Sequence, residues 1–333
     1  MKKNEQIQEK FKTMIGGQAL IEGIMMRGPK KDAIVVRQGE ELDIQVMDRK
    51  VAKKRSLWTW PLLRGMYGFF DAQVTGVKAL MHSADLSPDQ PQEEPSKLDR
   101  WLEKKLGNEK FQKLVVGIAV FLGLAMSIGL FFVLPMICSS LLDGWIDNLL
   151  VLHLIEGLVR ILIFVAYIML AARLPDMKRV FAYHGAEHKT IRCYEAGLPL
   201  TVENVRPMTR LHPRCGTSFL LIIMILSILV FSIASSALVA CVPAMAQMRL
   251  DSPVLYKVIM IVFKLLLLPL VVGIGYEINR FVGRHDGWFT RILTAPGMWF
   301  QNFTTNEPDD SMIEVGIAAV KAVLPEEEGE DAW

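Results

Sequence analysis

The sequence predicts a mainly α-helical membrane protein with about four transmembrane helices, a small β-containing cytoplasmic N-terminal domain and a cytoplasmic C-terminal helix. The 333-residue chain is 52% hydrophobic, and its mean hydropathy of +0.31 is high for an ordinary soluble protein. Four apolar stretches are long enough to cross a bilayer. The first residues are charged and lack a signal peptide's apolar core, so insertion is expected to depend on those internal stretches.

The β-like pattern lies in residues 1–56, which we predict to form the N-terminal domain. Gly28-Pro29 marks a turn. Residues 34–36 are β-branched and apolar, Gly39 follows, and residues 42–46 alternate between apolar and polar side chains. This pattern indicates a β-hairpin.

Residues 57–86 are apolar and aromatic but are interrupted by charges. Trp58 and Trp60 are typical of a membrane interface, and we predict an amphipathic segment lying on the bilayer. A re-entrant hairpin and a helix packed on the soluble part are the alternatives. Residues 87–98 are rich in proline and glutamate, which indicates a linker.

The four spans are predicted at residues 114–142, 149–172, 217–242 and 254–278, within a membrane domain of residues 99–279. Basic residues concentrate before the first span, in the loop 173–216 and after the fourth span. The positive-inside rule therefore places both termini and this loop in the cytoplasm. The C-terminal segment 280–333 contains a predicted helix at 311–324. The net charge of +2 gives no reason to expect a nucleic-acid partner.

Ionisable side chains interrupt two of the predicted spans. His153, Glu156 and Arg160 lie in the second, and Lys257 and Lys264 lie in or near the fourth. Such groups are costly in a membrane unless they are paired. Glu156 and Arg160 are four residues apart, a spacing that allows an ion pair on a helix. A polar path, as in a transporter, is the alternative interpretation.

The strongest candidate site lies in the loop between the second and third spans. His184 and His188 are four residues apart with Glu187 between them, the pattern H-x-x-E-H. A helix is predicted from Pro175 to Gly197. Two imidazoles at this spacing share one helical face and can hold one metal ion.

Four further donors are expected at the same cytoplasmic boundary. His212 and Cys215 directly precede the third span, Glu195 follows on the predicted helix, and Glu277 ends the fourth span. Imidazole, carboxylate and thiolate all suit a divalent metal, with zinc the first choice and iron or manganese left open.

Two versions of this site follow from the residue types. In the catalytic version, His184 and His188 bind zinc with Glu277 or Glu195 as third ligand, and Glu187 is the general base. In the structural version, the ligands are His184, His188, His212 and Cys215. A site without metal is also possible, with histidines that cap helices or pair with carboxylates and with ordinary buried thiols.

Four motifs together resemble the YqhQ-like bacterial membrane proteins. They are GGQALIEGIMMRG at 16–28, HGAEHK at 184–189, HPRCGTS at 212–218 and TTNEPDD at 304–310. The likeness runs from about Met14 to Leu324. It implies a multi-pass protein of the bacterial inner membrane from a family of unknown function that carries the label "predicted metal-dependent enzyme". The family-motif positions are His184, Glu187, His188, His212 and Cys215.

The first functional hypothesis is a metal-dependent hydrolase at the cytoplasmic membrane face. Its location favours a lipid-linked or membrane-protein substrate. The alternative is a non-enzymatic membrane scaffold or insertion factor with a structural metal site, and the third hypothesis is a transporter. The sequence does not identify a protein partner.

Overall fold

The computed structural model describes residues 10–49, 57–87, 107–142, 144–285, 287–327 and 329–332, with the backbone alone for 108–113. Most of the predicted linker therefore lies outside the described residues. The described chain is mainly helical and carries a four-stranded antiparallel sheet near its N-terminus. The predicted fold class is confirmed.

The sheet is a meander in which each strand pairs with the next along the chain. Its strands are β1 (Gly16–Leu20), β2 (Gly23–Arg27), β3 (Lys31–Gln38) and β4 (Glu41–Asp48). Gly39 has a φ of +62° in the turn between β3 and β4, a conformation that glycine adopts without steric cost. The predicted hairpin is confirmed, and two more strands precede it.

The helices of the described residues are α1 (Leu63–Leu86), α2 (Asn108–Ile128), α3 (Leu134–Ser140), α4 (Leu149–Ala171), α5 (Pro175–Glu195), α6 (Val202–Val205), α7 (Gly216–Cys241), α8 (Pro243–Asp251), α9 (Pro253–Arg284), α10 (Trp288–Thr304) and α11 (Asp310–Ala322). A 3₁₀ turn, Leu57–Thr59, precedes α1. Four described stretches are long and apolar enough to cross a membrane: Leu114–Ser140, α4, α7 and α9. They match the four predicted spans, although α9 continues beyond the predicted end at residue 278.

A proline in the first candidate span follows a π-helical turn. A π-helical turn, Gly129–Val133, joins α2 to α3 just before Pro135. Proline has no N–H, so it leaves the carbonyl oxygen four residues earlier without its helical donor. That carbonyl, of Phe131, instead accepts a hydrogen bond of 2.7 Å from Nε of Arg160.

By its contacts the chain divides into two compact units. The first comprises Met1–Pro88, Tyr167–Leu226 and Leu268–Trp333, and the second comprises Asp89–Ala166 and Ser227–Leu267. The first unit thus joins the sheet to helices that are distant in sequence. The segment boundaries expected from the sequence remain predictions.

Both faces of the sheet are covered, as the alternation of side chains along a strand allows. On one face Ile24, Met26 and Val35 pack with residues of α5 and α11. On the other face Met25 and Ile34 join a cluster that includes Ala79 of α1. The sheet therefore forms the middle layer between α1 and the α5–α11 pair.

Helix α1 uses one face for the sheet and leaves another exposed. Gly76 approaches Gln18 so closely that a Cβ at this position would lie 2.2 Å from its side-chain oxygen. Phe70, Val74 and Val77, at helical spacing, are exposed. The contact with the sheet matches one alternative given for this segment, and its position at a membrane interface remains a prediction.

Two helices near the site start within one residue of their predicted positions. Helix α5 begins at Pro175 and ends two residues before Gly197, which has a φ of +63°. Helix α11 begins after Asp309, whose carboxylate accepts a hydrogen bond of 3.0 Å from the backbone N–H of Met312. Both starts follow from local chemistry, a proline in α5 and a capping carboxylate in α11, and a glycine follows the end of α5. Helix α11 ends at Ala322, two residues before the predicted end at Leu324.

Candidate metal centre

Helix α5 is polar in composition yet buried at its centre. Residues 181–191 are all buried, among them His184, Glu187 and His188. Apolar residues of this helix, such as Tyr183 and Ala186, contribute to the core shared with the sheet and α11. Burying imidazole and carboxylate groups is costly unless they find partners, so the contacts of these three side chains are informative.

Each histidine is oriented by a backbone carbonyl from a distant segment. His184 Nδ1 lies 2.7 Å from the carbonyl oxygen of Thr304, and His188 Nδ1 lies 2.6 Å from that of Arg210. A carbonyl oxygen only accepts hydrogen bonds, so each Nδ1 carries a proton and Nε2 is the ring nitrogen left to bind a metal. The two ring centroids are 4.4 Å apart.

Cys215 completes a group of three donors. Its Sγ lies 3.2 Å from His184 Nε2. The ligand atoms of His184, His188 and Cys215 all lie within 4.8 Å of one another, and all three residues are buried. Cys215 immediately precedes α7, so the group links α5 to the start of a candidate membrane span.

Glu187 lies beside this group with one oxygen fixed. Its Oε1 accepts a hydrogen bond of 2.9 Å from the backbone N–H of Gly17 in β1. Its Oε2 is buried and has no hydrogen-bond partner among the described residues, and the same is true of Nε2 of His188. A bound ion, ligand or water at this place would supply the partner that each of these two buried polar atoms lacks.

The three donors shift one another's pKa values. Burial disfavours the charged form of His184, but the charge and hydrogen bond of Cys215 raise the His184 pKa to about 9. Burial also opposes ionisation of Cys215, yet the positive charges of His188 and His184 hold the Cys215 pKa well below its usual range. Since the thiolate is the form of cysteine that binds a metal, the histidines favour the ligand form of Cys215.

The pKa of Glu187 shifts in the opposite direction to that of Cys215. Burial raises the pKa of Glu187, while the charges of His184 and His188 partly counter that effect. A carboxylate with a raised pKa is a stronger base than an ordinary carboxylate, which is the property a general base needs.

The other predicted donors are brought near one another but engage other partners. Glu195 accepts hydrogen bonds from Arg214 and from the backbone N–H of Thr13 at 3.0 Å. Nε2 of His212 donates to Glu195 Oε2 at 3.1 Å. Burial and the charge of Arg214 hold the His212 pKa well below its usual range, which keeps this ring neutral.

Glu277 is not brought to the group of three donors. Its carboxylate accepts hydrogen bonds from the guanidinium of Arg64 and from the backbone N–H of Leu62 at 3.3 Å. It therefore joins α9 to the start of α1.

A pocket of about 220 Å³ leads to the site. Its lining includes Glu187, His188, Cys215 and Gly17. Three arginines also line it: Arg27, Arg49 and Arg214. The site is therefore reachable by a small group. Arg27 pairs with Asp32 and Asp71, and Arg214 pairs with Glu195.

Comparison with known proteins identifies the family. A family model described as "Protein of unknown function (DUF1385)" matches residues 60–326. The chain is also 32% identical over 313 residues to "Uncharacterized protein YqhQ" of Bacillus subtilis (strain 168), covering 93% of this chain and 92% of that protein. This chain belongs to the DUF1385 family. The resemblance to YqhQ-like proteins is confirmed. No solved structure matches the chain.

The four motifs of this DUF1385 chain converge on one site, although they are far apart in sequence. The first motif supplies the N–H of Gly17, the third supplies Cys215 and the fourth supplies the carbonyl of Thr304. The second motif carries Gly185, where a Cβ would lie 2.0 Å from the carbonyl oxygen of Asn306. Glycine at this position permits the close approach that holds the fourth motif against α5.

The site also depends on residues that were not singled out in the sequence. Gln301 of α10 accepts a hydrogen bond of 2.8 Å from the N–H of His212 and donates one of 2.7 Å to its carbonyl oxygen. It also donates to Oγ of Ser218 at 2.8 Å. Gln301 is fully buried and shapes the turn that carries Cys215. Gln301 lies outside the four motifs and at no regular spacing from the donors, so the sequence did not point to it. Gly17 and Thr304 lie within the first and fourth motifs, which could have identified them as site residues.

The donor set fits a divalent metal. Two imidazole nitrogens and one thiolate are ligands that zinc accepts. Metal-binding histidines characteristically donate their other ring N–H to a carbonyl or carboxylate, as both histidines do here. Three protein ligands leave the fourth tetrahedral position to water, substrate or Glu187.

Proposed function

We propose that this protein is a metal-dependent hydrolase that acts at the cytoplasmic face of the bacterial inner membrane. One observation carries the proposal: carbonyls of Thr304 and Arg210 contact Nδ1 of both histidines and turn each Nε2 toward Sγ of Cys215, so that three donor atoms lie within 4.8 Å of one another. Orientation of this kind is the arrangement found around metal-binding histidines. The pocket and Glu187 make a catalytic role the better-supported one.

The metal, with zinc the first choice, would be held by Nε2 of His184, Nε2 of His188 and Sγ of Cys215. When bound, zinc lowers the pKa of a coordinated water to about 7 and polarises a carbonyl or phosphoryl oxygen. The thiolate and the two oriented imidazoles would hold the ion.

Glu187 has the position of a general base. The N–H of Gly17 fixes Oε1, which leaves Oε2 to accept a proton from the attacking water and return it to the leaving group. The raised pKa of Glu187, caused by burial, suits both transfers. The neutral His212 and the Glu195–Arg214 pair support the loop around Cys215.

The pocket favours a substrate with an anionic group. Arg27 is bound to Asp32 and Asp71, whereas Arg49 donates to the carbonyl oxygen of Gly28. Burial lowers the pKa of Arg49, as does the positive charge of Arg27. An anion near Arg49 would offset this unfavourable positive potential.

The proposed substrate is lipid-linked or part of a membrane protein. Cys215 lies one residue before the candidate span α7, so the site is next to that helix's first turn. The basic residues of loop 173–216 favour a cytoplasmic position for this end, and both termini would share it.

A structural metal site in a scaffold or insertion factor is the competing function. In that case Glu187 would fill the fourth position, and the ion would fasten α5 to α7. Its support is the complete burial of the donors, which suits a closed site.

The test combines metal analysis with genetic complementation. Purified full-length protein is expected to contain one metal ion per chain. His184→Ala, His188→Ala and Cys215→Ser are each expected to lower the metal affinity by more than about 100-fold, because losing a ligand costs more than losing a residue that hydrogen-bonds to a ligand. His285→Ala is the matched control, since His285 is exposed and its Nδ1 contacts its own helix at Phe281.

Glu187→Gln separates the two functions. A catalytic Glu187 predicts normal metal content and a rate lower by about 10²–10⁴, seen as failure to restore the lipid and membrane-protein profile of a deletion strain. If Glu187 is instead the fourth metal ligand, Glu187→Gln is expected to lose both the metal and the function. Retention of metal in all three ligand variants would exclude the proposed site.

A further inference from the structure

A second cavity is lined only by residues of the second unit. Its volume is about 420 Å³, and side chains of α3, α4, α8 and α9 and of the loop 141–148 line it. Apolar walls are formed by Met136, Leu149, Leu152 and Met260. A charged pair, Glu156 and Lys264, lies about two turns or more from the first residues of α4 and α9.

Two cations share one carboxylate at this place. Nζ of Lys264 donates to both oxygens of Glu156 at 2.6 Å each. Nη2 of Arg160 donates to Oε1 of Glu156 at 2.8 Å. All three residues are buried, with exposures of 2%, 3% and 5% for Lys264, Glu156 and Arg160. The triad therefore has a formal charge of +1 inside helices of membrane-spanning composition.

Arg160 directs its remaining contacts away from the cavity. Its Nε donates to the carbonyl oxygen of Phe131, and its guanidinium carbon lies 5.0 Å and 5.5 Å from the ring centroids of Phe132 and Phe231. Such cation–π contacts stabilise a guanidinium in apolar surroundings. Arg160 is not among the residues that line the cavity.

Lys264 is the cation that faces the cavity. An ammonium group has three donor hydrogens, and two of them are used by Glu156. Because Lys264 lines the cavity, its third hydrogen can reach a ligand there. Arg249 and Lys257 also line the cavity, whereas Asp147 adds one negative charge.

We propose that this cavity binds an amphiphilic anion, a phosphate or carboxylate group that carries an alkyl chain. The anionic group would accept a hydrogen bond from Lys264 and balance the charge of the triad, which is costly to bury unbalanced. The alkyl chain would lie along the walls of Met136, Leu149, Leu152 and Met260. The volume falls within the range of small-molecule sites, about 300–1,000 Å³.

The test measures binding of dodecyl phosphate to full-length protein in phosphatidylcholine nanodiscs by isothermal titration calorimetry. Lys264→Met leaves a neutral Glu156–Arg160 pair, so the variant is expected to fold but to bind at least tenfold more weakly. Lys264→Arg is expected to retain binding. Lys321→Met, an exposed lysine on α11, is the control with unchanged affinity.

Three further arms make the outcome decisive. Lys257→Met alters the cavity wall without touching the triad and is expected to weaken binding, which covers the case in which Lys264→Met does not fold. Inorganic phosphate and dodecyl maltoside supply the anion and the chain separately, and both are expected to bind more weakly than dodecyl phosphate. Wild-type affinity in Lys257→Met and in Lys264→Met where that variant folds, or no binding of dodecyl phosphate, overturns the site. Inorganic phosphate binding as tightly as dodecyl phosphate overturns the amphiphile assignment.

Discussion

His184 and His188 differ from His285 in the source of the carbonyl that each Nδ1 contacts. His285 contacts its own helix, four residues earlier. The carbonyl partners of His184 and His188 are 120 and 22 residues away in sequence. Long-range partners fix the ring orientation through the tertiary fold, which is what a metal site requires of its ligands.

At the same scale, Gly17 is the residue that fixes Glu187. A Cβ at Gly17 would lie 2.5 Å from the carbonyl oxygen of Met25 and 3.1 Å from the carboxyl carbon of Glu187. Gly17→Ala should therefore push β1 away from β2 and displace the carboxylate, while the three metal ligands, which lie in α5 and just before α7, are expected to stay in place. We expect unchanged metal content and a rate lower by about 100-fold, within the range for loss of a general base.

Gly16→Ala is the matched control, because a Cβ at Gly16 meets no atom within 4 Å. Complementation of a deletion strain and metal analysis of the purified variants provide the two measurements. Full activity of Gly17→Ala would show that Glu187 does not depend on this contact.

At the scale of elements, one turn of the sheet is tied to the helix that carries the histidines. Glu22, between β1 and β2, accepts two hydrogen bonds of 2.6 Å from Arg179 and one of 3.2 Å from Tyr183. Glu22 has a φ of +52°, which is unusual for a residue with a side chain. These contacts hold the turn against α5.

Glu22→Gln should lower stability in a pH-dependent way. The hydrogen bond with Arg179 is the largest factor that lowers the Glu22 pKa from 4.5. A depressed folded-state pKa stabilises the fold above the unfolded pKa, and the contribution is lost as the pH falls through the folded value. We expect a loss of about 0.5–1 kcal/mol at pH 7, since Arg179 is largely exposed.

The measurement is the thermal unfolding midpoint of wild type and Glu22→Gln in detergent between pH 3 and pH 8. The difference should be largest above pH 4.5 and should shrink as the pH falls below it. A difference that is constant over this range would assign the effect to packing instead of charge.

At the scale of the whole molecule, the proposed metal should stabilise the first unit, because its ligands come from α5 and from the turn before α7. Ligand binding to the folded state alone adds about 4 kcal/mol when the free ligand is 1,000-fold above Kd. We therefore expect a chelator to lower the unfolding midpoint of the wild-type protein and of His285→Ala. His184→Ala should unfold at the lower midpoint even without the chelator, and the chelator should change that midpoint little.

Calorimetry or intrinsic fluorescence in detergent can follow this transition, and re-addition of zinc should restore the midpoint only where the ligands are intact. An equal response of the wild type and His184→Ala to the chelator would argue against the assigned ligands.

The sequence by itself determined the features that depend on neighbouring residues. The four candidate spans follow from runs of apolar side chains, and α5 and α11 begin where Pro175 and Asp309 predict. The pairing of Glu156 with Arg160 was predictable for the same reason, because both lie on one helix at a spacing of four.

Only the tertiary structure decided which donors meet. Glu195 and Glu277 have the chemistry of metal ligands, but Arg214 and Arg64 engage them. Lys264 joins Glu156 from another helix, and the carbonyls of Thr304 and Arg210 reach the histidines from separate segments. Helical periodicity is a local property, whereas these contacts depend on how distant segments pack, and a single sequence carries no direct record of that packing.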